Sequence, residues 1–354
     1  MKKLSLLMLT MTLSLLTSAT GLYAQNSDVI HHINDIGKVE RVRGVITKMT
    51  ATEVTITVNT LDRKHEVNRI DQIELGESPA PLKAALSLLE QGQLEAAKVQ
   101  LDKPTMVAAT IKNKYVKQEV LYAQAICAAK LAQGGQGDIT KAGSLLQGFV
   151  TGGQDSYRYF EAVELLGDLF TGIGEYKFAA ENYGKLKSAP WLDYQLRGSV
   201  LQANALIGSE QYPQALSSYE AAIKAAPKTP AGRLQKTLAQ VGKARCLAET
   251  GKAQEGIKLL RDVLKESDPK QNPQLFGRAY NALGACYRKD NKPQDALLAY
   301  LHTDLLFYSD PPVHAEALYY LKQLWTTVKK SDRANRARTL LQQRYASSVW
   351  ATKE

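Results

Sequence analysis

At 354 residues, with 44% hydrophobic side chains and only 12 Pro, the chain can bury a substantial core, and neither polar disorder nor a collagen-like period fits it. The formal charge is +10, or +8 without Lys2 and Lys3, so partners of negative charge have to be considered.

The chain opens "MKKLSLLMLTMTLSLLTSATGLYAQ", two Lys, an uncharged Leu/Met/Thr run, then small residues ending at Ala24. That is the order of a secretory signal peptide over 1–24, cut after Ala24, and it predicts a periplasmic or secreted protein. Leu4 to Gln25 carries no charge and could also span a bilayer as an uncleaved anchor, although its Ser and Thr argue against this. No Cys comes directly after the run and no twin Arg precedes it, which disfavours a lipoprotein and points to export as an unfolded chain. No later stretch is apolar enough to cross a membrane, so the chain after cleavage is not expected to be transmembrane.

Residues 25–77 form a separate region. Val54, Ile56 and Val58 alternate with Thr55, Thr57 and Asn59, a strand period of two, and "NTLDRK" supplies a hairpin turn. With Arg43 to Met49 before and Ile70 to Leu75 after, four or five short strands are predicted, a small SH3-like β-module. Some 50 residues are marginal alone, so the module should pack on the helical segment C-terminal to it. "GESPAPL" (76–82) reads as a linker.

From 78 to 354 the pattern is helical. In "RAYNALGACYRKDNKPQDALLAY", residues 278–300, Tyr280, Leu283, Gly284 and Tyr287 fall on one helix stripe. Gly284 would let a second helix approach that stripe. "RKDNKP" breaks the helix, and Ala296, Tyr300 and Thr303 repeat the spacing on the return helix. The pattern recurs as Leu166, Gly167, Phe170, Ala179, Tyr183; as Leu206, Tyr212, Ala215, Tyr219; and as Ala244, Leu247, Gly256, Leu260. Weaker copies sit at 88–101, at 119–150 and at 315–341.

This constellation resembles the tetratricopeptide repeat. The resemblance implies a mainly α protein, a right-handed superhelix of about seven helix pairs, preceded by the small β-module. Two departures stand out. Equivalent second-helix positions 179, 215, 256, 296 and 337 are 36, 41, 40 and 41 residues apart, against about 34 in the family. No clear copy has the family's Trp at the first signature position. A period near 40 also admits HEAT-like pairs, but the Leu-Gly-x-x-Tyr and Ala-x-x-x-Tyr spacings favour the tetratricopeptide pattern.

No HExxH, GxSxG, Walker loop or CxxC pair is present, so no catalytic residue, metal site or cofactor is expected, and the chain reads as a non-catalytic scaffold. His31 and His32 are adjacent and point to opposite strand faces, which argues against a shared metal. Glu161, Glu164 and Asp168 share a helix face that reads as solvated. Cys127, Cys246 and Cys286 lie in Ala-rich helical patterns and read as small buried thiols, with a Cys246–Cys286 disulfide as the alternative.

In a helix-pair superhelix the first helices line a concave face. Counting from the signature puts Asn204, Arg245, Asn281, Arg288 and Lys322 there. The resemblance implies that such Asn, Lys and Arg can hold the carboxylate of an extended peptide through charge-assisted hydrogen bonds. A protein or peptide partner is therefore expected. Residues 322–354 hold eight Lys or Arg against Asp332 and Glu354, which offers a different partner, an anionic envelope polymer or membrane surface. Nucleic acid is not expected of an exported chain.

Overall fold

A computed structural model describes residues 27–34 and 36–353, so the predicted signal peptide lies outside the described residues. Five strands come first: β1 (Asp28–Ile33), β2 (Val39–Met49), β3 (Glu53–Val58), β4 (Leu61–Glu66) and β5 (Ile70–Glu74). They form one antiparallel sheet in the order β4-β3-β2-β1-β5, so β5 returns to pair beside β1. Alternation predicted β3 correctly, and the hairpin after it turns on Asn59 and Thr60, both at positive φ. Strand β1, "DVIHHI", was not predicted, because its two His hide the apolar period.

Val54 and Ile56 are fully buried, and the sheet shares one core with the first helices. As expected for so small a sheet, it is docked rather than isolated. Tyr115 Oη donates to the carbonyl of Thr47, and Asp28 accepts from the backbone N–H of Gly76 at 2.8 Å. The predicted linker is shorter than its Pro content suggested. Helix α1 (Ala80–Glu90) begins inside "GESPAPL", with Pro81 in its first turn, where a missing N–H costs nothing.

Thereafter consecutive helices pair. Helix α1 pairs with α2 (Leu94–Leu101), α3 (Lys114–Gln133) with α4 (Ile139–Gly152), and α5 (Tyr159–Gly172) with α6 (Tyr176–Lys185). Then come α7 (Leu192–Gly208) with α8 (Tyr212–Ala225), and α9 (Pro230–Glu249) with α10 (Ala253–Glu266). The last pairs are α11 (Pro273–Lys289) with α12 (Pro293–Leu306), and α13 (Pro311–Thr327) with α14 (Ser331–Tyr345), trailed by the short α15 (Val349–Thr352). The turn inside every pair places one residue at positive φ: Gly92, Gly135, Gly174, Glu210, Gly251, Asn291 and Lys329. A single left-handed residue reverses the chain tightly enough for the two helices to pack at once.

The signature residues do what their spacing predicted. Tyr300 is fully buried, and a Cβ added at Gly284 would lie 2.6 Å from its ring. Gly167 meets the ring of Tyr183 in the same way in the α5–α6 pair. Tyr219 instead fills the space beside Gly242 of the next pair, so one aromatic also seals the joint between repeats. Leu166, Ala179, Ala215, Leu283, Tyr287 and Ala296 are all buried, whereas Phe170 and Tyr280 are half-buried. Tyr280 stacks on His302 at 4.4 Å.

Cys127, Cys246 and Cys286 are buried free thiols, and burial pushes Cys246 and Cys286 each up to about 12. The disulfide alternative is therefore not realised. Cys286 packs against the repeat joint, its Sγ 3.5 Å from the carbonyl of Ala244.

The seventh pair returns to meet the second and third. The turn after α3 packs Gly135 against the backbone of Arg344 at the end of α14, and Gly174, after α5, abuts Val349 of α15. The superhelix thus meets itself within one turn, and its concave face bounds a half-open interior.

Candidate functional site

That interior is a chamber of about 990 Å³. Its wall is built from the first helices α3, α5, α7, α9, α11 and α13, as stacked helix pairs require, with α15 closing one side through Val349 and Trp350. Of the five residues expected in the groove, Asn204, Arg245 and Asn281 line this chamber. Arg288 and Lys322 are not part of its lining. Arg288 lies two helical turns beyond Asn281 and stacks on Tyr320 at 3.8 Å, and Lys322 lies over Tyr319 at 4.9 Å.

The three that do line the chamber are already engaged. Arg245 of α9 pairs across the curve with Glu316 of α13 at 2.7 Å. Asn281 of α11, between them, donates its Nδ2 to Glu316 at 3.1 Å and to the carbonyl of Val313 at 2.8 Å. Both partners of the ion pair are largely shielded, and the Glu316 carboxylate holds the guanidinium above its ordinary range. Asn204 accepts from the hydroxyl of Tyr219 at 2.5 Å, so it ties α7 to α8.

Several lining residues carry no mark in the repeat signature. Arg278 pairs with Asp310 at 3.0 Å, and Arg197 with Glu164 at 2.6 Å. The face of Glu161, Glu164 and Asp168 is not simply solvated. Glu161 is exposed and paired with Arg158 at 3.1 Å, but Glu164 and Asp168 face the chamber. Asp168 accepts a hydrogen bond from Tyr183 Oη at 2.7 Å. Separation from bulk water, with Glu164 one turn away, raises its carboxyl to about 7, against the opposing pull of the Tyr183 hydroxyl.

A sequence signal for Asp168 existed. It stands eleven residues before Ala179, as Asn204 stands eleven before Ala215 and Arg245 eleven before Gly256. Arg197 and Arg278 share another offset, eighteen residues before Ala215 and Ala296.

Elsewhere, His31 pairs with Glu74 at 2.6 Å while His32 packs edge-on against His65, with ring centroids 4.8 Å apart. Among the described residues no group of three or more His, Cys, Asp or Glu side chains could hold a metal, and no helix is long and apolar enough to cross a membrane. On α14, Arg333, Arg336 and Arg338 are exposed, with Arg333 over Trp325 at 4.7 Å.

Fold and site together define a tetratricopeptide-like solenoid whose concave face forms a half-open chamber lined by both apolar and charged side chains. No family model matches the chain, and no curated protein matches it. Among solved structures it is similar to NprR in complex with its cognate peptide NprX, with a TM-score of 0.53 at 13% identity over 74% of this chain and 75% of that one. It is also similar to Rap protein complexed with competence and sporulation factor, with a TM-score of 0.51 at 12% identity over 76% of each chain. A tetratricopeptide repeat protein from Parabacteroides merdae matches with a TM-score of 0.48 at 12% identity, over 74% of this chain and 91% of that one. The first two likenesses establish the shared fold.

Proposed function

We propose that the chain is a non-catalytic, exported scaffold that binds a peptide or an extended protein segment inside its chamber. The observation that carries this is the chamber itself. Its 990 Å³ lies at the upper end of the ~300–1,000 Å³ typical of ligand sites, and its wall is built by the first helices, the surface helix-pair solenoids offer to ligands. Of the two similar solenoids, NprR is in complex with a cognate peptide and Rap with competence and sporulation factor, which supports the same reading here. Export rests on the order of residues 1–24, and the exported protein should begin at Gln25 when its N-terminus is sequenced.

A plug tests the site. Leu234 and Gln274 line the chamber yet are exposed, so Leu234→Trp with Gln274→Trp should fill space without disturbing packing. Peptides selected from a random library should bind the wild type saturably and the plugged variant at least about tenfold more weakly, a loss of about 1.4 kcal/mol, at unchanged melting temperature. Equal binding by both would move the site elsewhere.

A second reading is favoured by one observation, the exposed cations of α14. If an anionic envelope polymer or membrane surface is the partner, changing Arg333, Arg336 and Arg338 to Ala should abolish binding to it and leave chamber binding intact. That interaction would fade with salt, as exposed charge contacts do.

A further inference from the structure

The buried amide groups of the chamber wall that lack a partner are acceptors. Asn281 is 2% exposed; its Nδ2 is spent on Val313 and Glu316, and its Oδ1 is buried in the chamber wall without a donor. Gln235, 7% exposed on α9, also leaves its Oε1 unpartnered. A buried acceptor without a donor is costly, so each amide gains by turning its oxygen toward a ligand N–H in the chamber. Three of the four cations that line the chamber are already paired. Arg197, Arg245 and Arg278 are committed to Glu164, Glu316 and Asp310. Lys130, on α3, is the fourth lining cation and has no ion-pair partner among the described residues. Asp168 has a hydrogen bond from Tyr183 and, among the described residues, no ion-pair partner.

We infer that the chamber selects a basic peptide segment, a Lys or Arg side chain of the ligand meeting Asp168 beside Glu164, and ligand N–H groups meeting Asn281 Oδ1 and Gln235 Oε1. The inference rests on the peptide-binding reading above, and it reverses the acidic or carboxylate-ended ligand expected from Asn and Arg positions alone. The chain's own positive excess does not oppose it, because the charges of the chamber lining balance, Lys130, Arg197, Arg245 and Arg278 against Glu164, Asp168, Asp310 and Glu316.

Titration adds a second readout. The charged and titratable groups around Asp168 are Glu164 on its own helix, Tyr183 on α6, Arg197 on α7, Arg278 on α11 and Asp310 before α13. With the Asp168 carboxyl raised to about 7, it is largely neutral at pH 6 and largely ionised at pH 8. A cationic ligand binds the ionised form, so affinity should rise across that interval.

The test uses fluorescein-labelled Ala/Ser/Asn heptapeptides carrying one or two Lys, with matched Glu versions, titrated by anisotropy against the wild type and Asp168→Asn. Lys peptides should bind at least about tenfold more tightly than Glu peptides, and more tightly at pH 8 than at pH 6. Asp168→Asn should weaken Lys-peptide binding by about ten- to a hundredfold and flatten the pH dependence. Its melting temperature at pH 8 should be no lower than that of the wild type, because a carboxyl raised when folded weakens the fold as pH climbs from about 4 to 7. Glu peptides binding as well as Lys peptides, or Asp168→Asn binding Lys peptides like the wild type, would overturn the basic-ligand assignment and leave the chamber reading standing. Binding of neither peptide set, at either pH, would bring down both.

Discussion

Replacing Arg245 with Ala should destabilise the closed solenoid by about 3–5 kcal/mol, among the largest effects available to a single substitution in this chain. The cause is what the change leaves behind. Glu316 has 9% of its side chain exposed, and without the guanidinium 2.7 Å away its charge would stay in the chamber wall facing only Asn281. Removing one partner of a buried pair costs far more than replacing both. Arg245→Met with Glu316→Met should therefore cost well under the sum of the single changes, and the difference is the coupling energy of the pair. Because repeat arrays need not unfold in one step, native-state hydrogen exchange on the amides of α9 and α13 is the suitable measurement. Unchanged protection in Arg245→Ala would show that the two helices are not joined across the chamber. A binding defect in that variant, by itself, would say little about ligand contacts.

Gly284→Leu should cost about 3 kcal/mol or more. A Cβ alone would lie 2.6–2.9 Å from three ring atoms of Tyr300, and that ring has no exposed surface into which to retreat. Overpacking of a well-filled core typically costs about 1–3 kcal/mol, and the extra branch of Leu pushes this case to the top of that range or beyond. The damage should be local. Protection should fall in α11 and α12 and their neighbours, while the sheet and α1 to α4 keep theirs, since each pair contacts mainly the next. A melting profile identical to the wild type would mean that α11 and α12 do not cross at Gly284.

The repeat architecture was legible because its determinants are local. A small residue on one helix and an aromatic on the return helix, as in Gly284 with Tyr300 and Gly167 with Tyr183, specify a close crossing whatever the rest of the chain does. The chamber was less legible, for two physical reasons. Closure depends on small rotations accumulated over all the pairs, so the contacts of Gly135 with Arg344 and of Gly174 with Val349 have no local signal. The other reason is that a carboxylate ligand directs attention to cations and amides alone. Lys322 then stands out over Glu316 on the same helix, in one of the weaker copies of the repeat, and Asp168 is passed over although it shares its offset with Asn204 and Arg245. Side chains that face one another around a closed ring tend to be complementary, and the offsets that predict one sign should be read for the other.

The chamber as the binding site is tested most directly by methyl NMR of the protein, titrated with the tightest peptide from the library. Val200, Leu201, Leu238 and Val313 line the chamber, while Val45, Val99, Leu298 and Leu305 are exposed outside that lining. Saturable shifts confined to the first group are the expected result. Shifts confined to the second group, or to Leu340 and Leu341 of the basic helix α14, would contradict it.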